Sequence, residues 1–250
     1  MPFFSHSNSW HPMKNPKPST CFNILAVLLP WMICAYFLAI TLAMPEKMAL
    51  YIAKDQDDAG GLVENLTVFT LIPGIVMGLY AFIRYRTQIR PWWAAYWLLI
   101  WILACIYFAG EEASWGQWYF GWETPETYSQ INDQNETNLH NTSTWLDQKP
   151  RALVEIWIFV TGFILPLASY FRDSKTSSSR FYWIHPLPIL FSSAAFFTLV
   201  RMSEWIKFQN IDTLFGSSEF REFTIALFLT LFLLSYFARL SKSTRQKTED

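Results

Sequence analysis

The chain has 250 residues, of which 52% are hydrophobic and 18% are aromatic, whereas only 16% are charged. This charged fraction is well below the ~25% typical of soluble domains, so the composition argues against a water-soluble protein. The net charge of −1 gives no reason to expect a nucleic-acid partner. The apolar residues form runs of about 20, the length with which a helix crosses ~30 Å of hydrocarbon. The sequence therefore predicts an all-α, polytopic transmembrane helix bundle.

Six spans are predicted, between two polar tails. Residues 1–23 are rich in proline and polar side chains and are predicted to be a flexible cytoplasmic tail. The membrane domain covers residues 24–240, and residues 241–250 form a basic cytoplasmic tail. A long extracytoplasmic loop, 111–150, connects the third and fourth spans. The predicted spans are approximately 24–44, 62–83, 92–110, 151–171, 184–203 and 220–238.

Three predicted helix starts carry local signals. Pro150 is expected in or beside the first turn of the fourth span, where its missing N–H costs little. Ser217 or Ser218 is expected to cap the sixth span. Within the long loop, Thr124 is expected to cap a short helix whose first residue is Pro125.

An even number of spans places both termini on one side of the membrane. The N-terminal tail, the loops 84–90 and 172–180, and the C-terminal residues 239–250 hold 12 of the 19 Lys and Arg residues. The other side holds 17 of the 20 acidic residues. Because cytoplasmic segments are enriched in Lys and Arg, we expect both termini to be cytoplasmic and the loop 111–150 to be extracytoplasmic.

Carboxylates collect at the predicted extracytoplasmic ends of the spans. Those that begin spans are favoured by the positive end of the helix dipole, which is a sufficient structural explanation. Those that end spans are disfavoured by the same dipole and need other compensation. The first group is Glu64, Glu155, Glu219 and Glu222, and the second is Glu111, Glu112 and Glu204.

The adjacent pair Glu111 and Glu112 is the strongest functional signal in the chain. Glu204 has Arg201 three residues before it as a helical neighbour, whereas the pair has no basic neighbour nearby in sequence. Its compensation is expected from Arg201, Arg151, His140, a bound cation, or a proton retained on one carboxylate. A purely structural role for the pair stays open.

The long loop adds further polar and aromatic candidates. Glu136 and His140 are four residues apart, so a short helix would place them on one face as an acid–base pair or as metal ligands. The alternative is that this histidine only fixes the loop. Trp115 is expected in an aromatic belt, about one bilayer thickness from Trp92 and Trp93.

Two segments of the chain carry a resemblance to known proteins. Gly110–Gln117 reads G-E-E-A-S-W-G-Q, and residues 136–141 read E-T-N-L-H-N. With these motifs the chain resembles a family of bacterial multipass membrane proteins of uncharacterised activity, over roughly residues 24–240. A weaker shared element is the G-G-L-V-E-N-L-T stretch at the start of the second span. The resemblance implies a membrane protein, and we expect it in the bacterial inner membrane; it implies no reaction type.

Our leading hypothesis is an integral membrane enzyme or binding protein that acts on a lipid or lipid-linked substrate at the outer leaflet. An ion-coupled transporter and a non-catalytic membrane scaffold or partner subunit are the alternatives. The residues leave open whether the protein is an enzyme, and they leave open its oligomeric state. A divalent cation such as Ca²⁺, Mg²⁺ or Mn²⁺ is the cofactor that an excess of carboxylates would suit.

The candidate site residues are polar or aromatic and lie at the predicted extracytoplasmic ends. The predicted catalytic residues are Glu111, Glu112, His140 and Glu136; the predicted substrate-binding residues are Trp115, Gln117, Asn138, Arg201, Glu204 and Glu64; the predicted ligands of any metal are Glu111, Glu112 and His140.

Overall fold

The computed structural model describes residues 17–46, 61–89, 91–131, 136–139, 142–171, 182–206 and 217–249. Within these ranges all regular structure is helical. Five helices are long and apolar enough to cross a membrane, as expected of an integral membrane protein.

Nine α-helices are labelled in chain order within the described ranges. Two short helices lie in the loop after α3, and a π-helical stretch, Ile158–Ile164, joins α6 to α7. The helices are α1 (Thr20–Ala43), α2 (Leu62–Tyr85), α3 (Trp93–Glu112), α4 (Gln117–Phe120), α5 (Glu126–Ser129), α6 (Thr144–Trp157), α7 (Leu165–Phe171), α8 (Phe191–Ile206) and α9 (Ser218–Glu249).

The last helix, α9, is the centre of the bundle. In its membrane-length window 83% of the residues are buried, whereas the other four candidate spans have 11–33% buried. It packs against α1, α2, α3 and α8. A helix that is apolar on all sides is normally surrounded by protein. The outer helices instead expose large apolar side chains, such as Leu28, Ile83 and Leu103, as lipid-facing surfaces do.

Helices α2 and α9 approach each other closely at Gly74. A Cβ added to Gly74 would lie 2.9 Å from the Cα atom of Thr230, so only glycine fits at this crossing. Pro73 removes one helical N–H donor from α2. Next to this missing helical hydrogen bond, the Thr230 hydroxyl donates to the carbonyl of Thr70 (2.7 Å) and so links the two helices.

The fourth predicted span begins earlier than the sequence indicated. We expected it to begin near residue 151, with Pro150 in the first turn; instead α6 begins at Thr144, and Pro150 lies inside the helix. A proline within a helix removes one backbone hydrogen bond without necessarily ending the helix. Further along, Pro166 cannot donate to Gly162, and the Leu165 N–H bonds to Val160 in π-helical fashion.

Arg239 fastens the end of the bundle opposite to the carboxylates. Its fully buried guanidinium lies 4.6 Å from the ring centroids of Trp183 and Tyr236, and it donates to the carbonyls of Ser235 (3.0 Å) and Tyr182 (3.2 Å). Such contacts satisfy a buried guanidinium through its planar faces as well as its N–H donors.

The segment 182–206 runs from this end of the bundle to the other. Trp97, at the start of α3, donates to the carbonyl of Ile184 (3.2 Å), whereas Arg201 reaches Glu155 near the opposite end. The α-helical part of the segment is α8, with 16 residues, and a 3₁₀ turn, Pro188–Leu190, leads directly into it. The fifth predicted span, 184–203, is not among the five helices that are long and apolar enough to cross a membrane, and the number of spans stays a prediction.

We predict that Gly74→Ala destabilises the protein, because the new Cβ would meet the backbone of Thr230, which cannot rotate away. Overpacking of this kind costs about 1–3 kcal/mol. Thermal unfolding in detergent, followed by size-exclusion chromatography, should show a lower midpoint.

The matched control is Gly78→Ala in the same helix. Its Cβ would meet only side-chain atoms of Ile102 (3.1 Å) and Leu233 (3.5 Å), which can adjust. Equal midpoints for the two variants would contradict the close backbone approach.

Candidate functional site

The starts of α2 and α9, the second half of α6 and the ends of α3 and α8 meet at one end of the bundle. We call this the acidic end; it comprises Glu64, Glu112, Glu155, Glu204, Glu219 and Glu222. The predicted cap of α9 is confirmed, since Ser217 Oγ accepts a hydrogen bond from the N–H of Phe220 (3.2 Å).

The adjacent carboxylates of Glu111 and Glu112 point in different directions. Successive residues of an α-helix are about 100° apart, so neighbours in sequence face different surroundings. Glu111 turns toward the loop: one of its carboxylate oxygens accepts from Trp115 Nε1 (2.6 Å) and the other from the backbone N–H of Leu139 (2.8 Å). Two N–H donors stabilise its negative charge at a helix end where the dipole does not.

Glu112 turns toward the other helices. Carboxylate oxygens of Glu112, Glu64 and Glu219 lie within 4.8 Å of one another, and the first two side chains are buried. Three carboxylates this close favour a shared proton or a cation between them, because like charges disfavour full ionisation. Among the described residues, this is the group that can supply ligands to a metal ion, and hard ions such as Ca²⁺ or Mg²⁺ suit its oxygens.

A closed ring of ion pairs joins α6, α8 and α9. Arg201 contacts Glu155 (3.2 Å) and Glu204 (2.6 Å), and Arg221 contacts the same two carboxylates at 3.1 and 2.6 Å. The two guanidinium groups therefore balance the two carboxylates. Both predicted residues, Arg201 and Glu204, are engaged in this ring.

A crevice of about 150 Å³ lies between α3, α6 and α9 beside the acidic end. Its polar side chains come from Glu111 and Glu112, and from Arg151, which forms an ion pair with Glu222. One or two helical turns away from the acidic end, the residues of each helix that line the crevice are apolar. The complete lining is Ala104, Tyr107, Phe108, Glu111, Glu112, Pro150, Arg151, Val154, Glu222, Ile225 and Leu229.

The two sequence motifs fold against each other in the loop. Ser114 and Asn138, both almost fully buried, donate to the buried carboxylate of Glu136 at 3.1 and 2.5 Å. These bonds hold a left-handed backbone, with φ of 44° at Ser114 and 53° at Trp115. Such conformations cost about 1–3 kcal/mol each for residues other than glycine, so surrounding contacts must maintain them.

Gln117 connects three parts of the same loop. Its side-chain Nε2 donates to Thr124 Oγ1 (2.8 Å), and its Oε1 accepts from the N–H of Thr137 (2.6 Å). The predicted capping role of Thr124 is wrong: Pro125 is the N-cap residue of α5, and α5 has no side-chain cap. The reason is that Pro125 has an extended ψ of 140°, so the helix begins at Glu126, one residue later than predicted.

Tyr119 ties the loop to the start of α2. Its hydroxyl donates to Oδ1 of Asn65 (2.8 Å), and Asn65 directly follows Glu64 in the chain. Partial burial raises the pKa of Tyr119, and the nearby Glu64 carboxylate raises it further. The tyrosine therefore stays neutral, as a donor, at physiological pH.

The structure thus divides the predicted site residues into separate groups. Glu111 and Glu112 line the crevice, whereas Trp115, Gln117, Glu136 and Asn138 belong to the loop network. His140 lies outside the described residues, so its predicted pairing with Glu136 and its place among the metal ligands are untested. Glu64 lies beside Glu112, and the remaining predicted residues lie in the ion-pair ring.

Sequence reasoning left three crevice residues out of the predicted site: Tyr107, Arg151 and Glu222. Arg151 was considered only as a counter-ion for the Glu111–Glu112 pair, and Glu222 only as a helix-terminus charge. The partnership of these two residues spans 71 positions, and no pattern in the sequence indicates it.

No family model, curated protein or solved structure matches the chain significantly.

We predict that Asn138→Ala loosens the loop. The change removes a donor from the buried Glu136 carboxylate, and an unsatisfied buried partner of this kind costs about 1–3 kcal/mol. Limited chymotrypsin digestion of the purified protein should cut the aromatic-rich loop, residues 115–128, faster than in the wild type.

Ser129→Ala is the control, since the Ser129 hydroxyl makes only an exposed bond to the carbonyl of Glu126 within the described structure. If both variants are cut at the wild-type rate, the buried network does not maintain the loop.

Proposed function

We propose that this integral membrane protein binds a lipid or lipid-linked molecule in the crevice between α3, α6 and α9. The observation that carries the proposal is the gradient of the lining along all three helices. Leu229, Val154 and Ala104 form the apolar part, and Glu222, Arg151 and Glu112 form the charged part. An amphiphile presents the complementary gradient, with an apolar chain and a polar headgroup.

The size of the crevice favours a lipid chain over a protein segment. A cavity of about 150 Å³ accommodates a benzene-sized molecule, so a short stretch of acyl chain fits while the remaining lipid stays in the bilayer. An α-helix with its side chains is about 10–12 Å wide and does not fit.

Glu112 is the residue that we propose to contact the polar part of the ligand. It lines the crevice and belongs to the carboxylate group with Glu64 and Glu219. Glu111 has a supporting role in this proposal, since its two oxygens hold Trp115 and Leu139. Ion-coupled transport is less well supported, because the charged residues lie at helix ends rather than near the middle of the spans.

We also propose six membrane crossings, with both termini cytoplasmic and the acidic end outside. The contacts at the two ends of segment 182–206 support a sixth crossing, and the distribution of Lys and Arg supports the orientation. This orientation places the crevice in the outer leaflet.

We predict that Val154→Trp abolishes lipid binding in the crevice, because the indole would fill the space that the acyl chain needs. The measurement is lipid that co-purifies with the protein, detected by native mass spectrometry, together with crosslinking to a photoactivatable phospholipid. Loss of one bound lipid and of the crosslink near α9 is expected.

Leu153→Trp is a matched control in the same helix, since Leu153 is exposed on the outer surface. Its lipid occupancy should equal that of the wild type. A wild-type protein with no bound lipid, or a Val154→Trp variant with unchanged occupancy, would refute the proposed function.

The orientation is tested by cysteine labelling in a variant whose native cysteines, Cys21, Cys34 and Cys105, are replaced. A cysteine at Glu126, in the loop, should react with a membrane-impermeant maleimide in spheroplasts. Cysteines at Lys17 and at Ser241 should react only after the membrane is permeabilised. Labelling of Lys17→Cys and Ser241→Cys on opposite sides would contradict an even number of crossings.

A further inference from the structure

Large aromatic side chains lie directly beneath the apolar part of the crevice on all three of its helices. They are Trp101 on α3, Trp157 on α6 and Phe232 on α9. Each lies three residues farther from the acidic end than the last lining residue of its helix, and these lining residues are Ala104, Val154 and Leu229. Residues three apart share one face of a helix, so the three aromatic side chains continue the faces that line the crevice.

The three rings contact one another in every pairing. The ring centroids of Trp101 and Trp157 are 4.1 Å apart, those of Trp157 and Phe232 are 5.0 Å apart, and those of Trp101 and Phe232 are 6.0 Å apart. Phe232 is fully buried and Trp101 is 6% exposed. Side chains packed at interior density leave no passage for another chain unless they move. We call these three side chains the aromatic floor.

The distance from the acidic end to the aromatic floor is short. The lining of the crevice extends from Glu111 to Ala104 on α3 and from Glu222 to Leu229 on α9, seven residues along each helix. At ~1.5 Å per residue, both stretches are about 10 Å long. The hydrocarbon core of a bilayer is ~30 Å thick, so one leaflet contributes about 15 Å. An acyl chain that reaches the middle of the bilayer is therefore longer than the crevice.

We propose that the aromatic floor determines which part of the ligand enters the crevice. The segment of acyl chain next to the headgroup occupies the apolar lining, and the methyl end is excluded and stays in the bilayer. The headgroup lies at the acidic end, where the lining is charged. Trp101, Trp157 and Phe232 are thus specificity-determining residues. This inference rests on the proposed function and specifies how the same crevice selects a segment of its ligand.

The test uses phospholipids of one headgroup and one chain length, with a photoactivatable diazirine next to the acyl carbonyl, in the middle of the chain or at the methyl end. The purified full chain is crosslinked to each probe in nanodiscs, and labelled peptides are identified by mass spectrometry. Labelling of α9 reports the crevice, because Ile225 and Leu229 line it and are otherwise only 2% exposed.

In the wild type, we expect the probe with its diazirine next to the carbonyl to label α9 at least about fivefold more than the methyl-end probe. The reason is that a chain between packed rings would overpack the bundle. The methyl-end probe should instead label exposed side chains of the outer helices, such as Leu103. This comparison needs no variant.

Two variants open the aromatic floor from different helices. Trp101→Leu and Trp157→Leu each remove a large ring, and the space left should admit the methyl end and reduce the difference between the two probes to less than about twofold. Either variant suffices if it is purified as a monodisperse protein. Trp92→Leu is the matched control, since Trp92 precedes α3 and is 67% exposed; it should retain the wild-type difference.

The outcomes separate the two proposals. Equal labelling of α9 by all three probes in the wild type overturns the role of the aromatic floor and leaves lipid binding in place. The same conclusion follows if both variants have a lower unfolding midpoint but an unchanged difference between the probes, since the rings then act only in packing. If no probe labels α9, or if Val154→Trp does not reduce the labelling, the proposed function itself is refuted.

Discussion

The charges on the first turn of α9 determine how the other helix ends are arranged. Burial of an ionised side chain is costly unless a partner balances it, and this turn carries both signs. Arg221 forms ion pairs with Glu155 and Glu204, and Glu222 forms an ion pair with Arg151. These pairs bring α6 and α8 to α9 at a common level. The bundle therefore depends at this end on matched charges, in addition to packing of apolar faces.

The strained loop and the crevice are connected through α3. Glu111 holds Trp115 and Leu139, whereas Glu112, one residue later, faces the crevice and the neighbouring helices. The buried network of Ser114, Glu136 and Asn138 maintains left-handed backbone directly after the helix. A change in the loop would alter the end of α3 and, through it, the position of the carboxylate that lines the crevice. The loop is in this sense part of the site's support rather than a separate surface.

The hydropathy of the sequence predicts most of the long helices, but it predicts few of the contacts within the candidate site. Long apolar runs predict α1, α2, α3 and α9 because crossing hydrocarbon requires about 20 apolar residues. The start of α6 was missed because Pro150 suggests a boundary, although six residues before it are helical. The unusual Glu111–Glu112 pair is visible in sequence, yet only helix geometry shows that Glu111 also binds the loop while Glu112 lies beside Glu64 and Glu219. The contact of Arg151 with Glu222 arises only from tertiary packing.

The enclosure of α9 has a consequence for biogenesis. This helix follows the other described helices in chain order, and among the candidate spans it is the one most surrounded by protein. During synthesis, Arg151 is made before Glu222 of α9 exists to pair with it, and Glu155 has Arg201 but not yet Arg221. Insertion of the earlier helices therefore leaves charges whose partners are supplied only when α9 arrives. A truncation before Ser218 is expected to yield a substrate for membrane quality-control proteases rather than a smaller working protein.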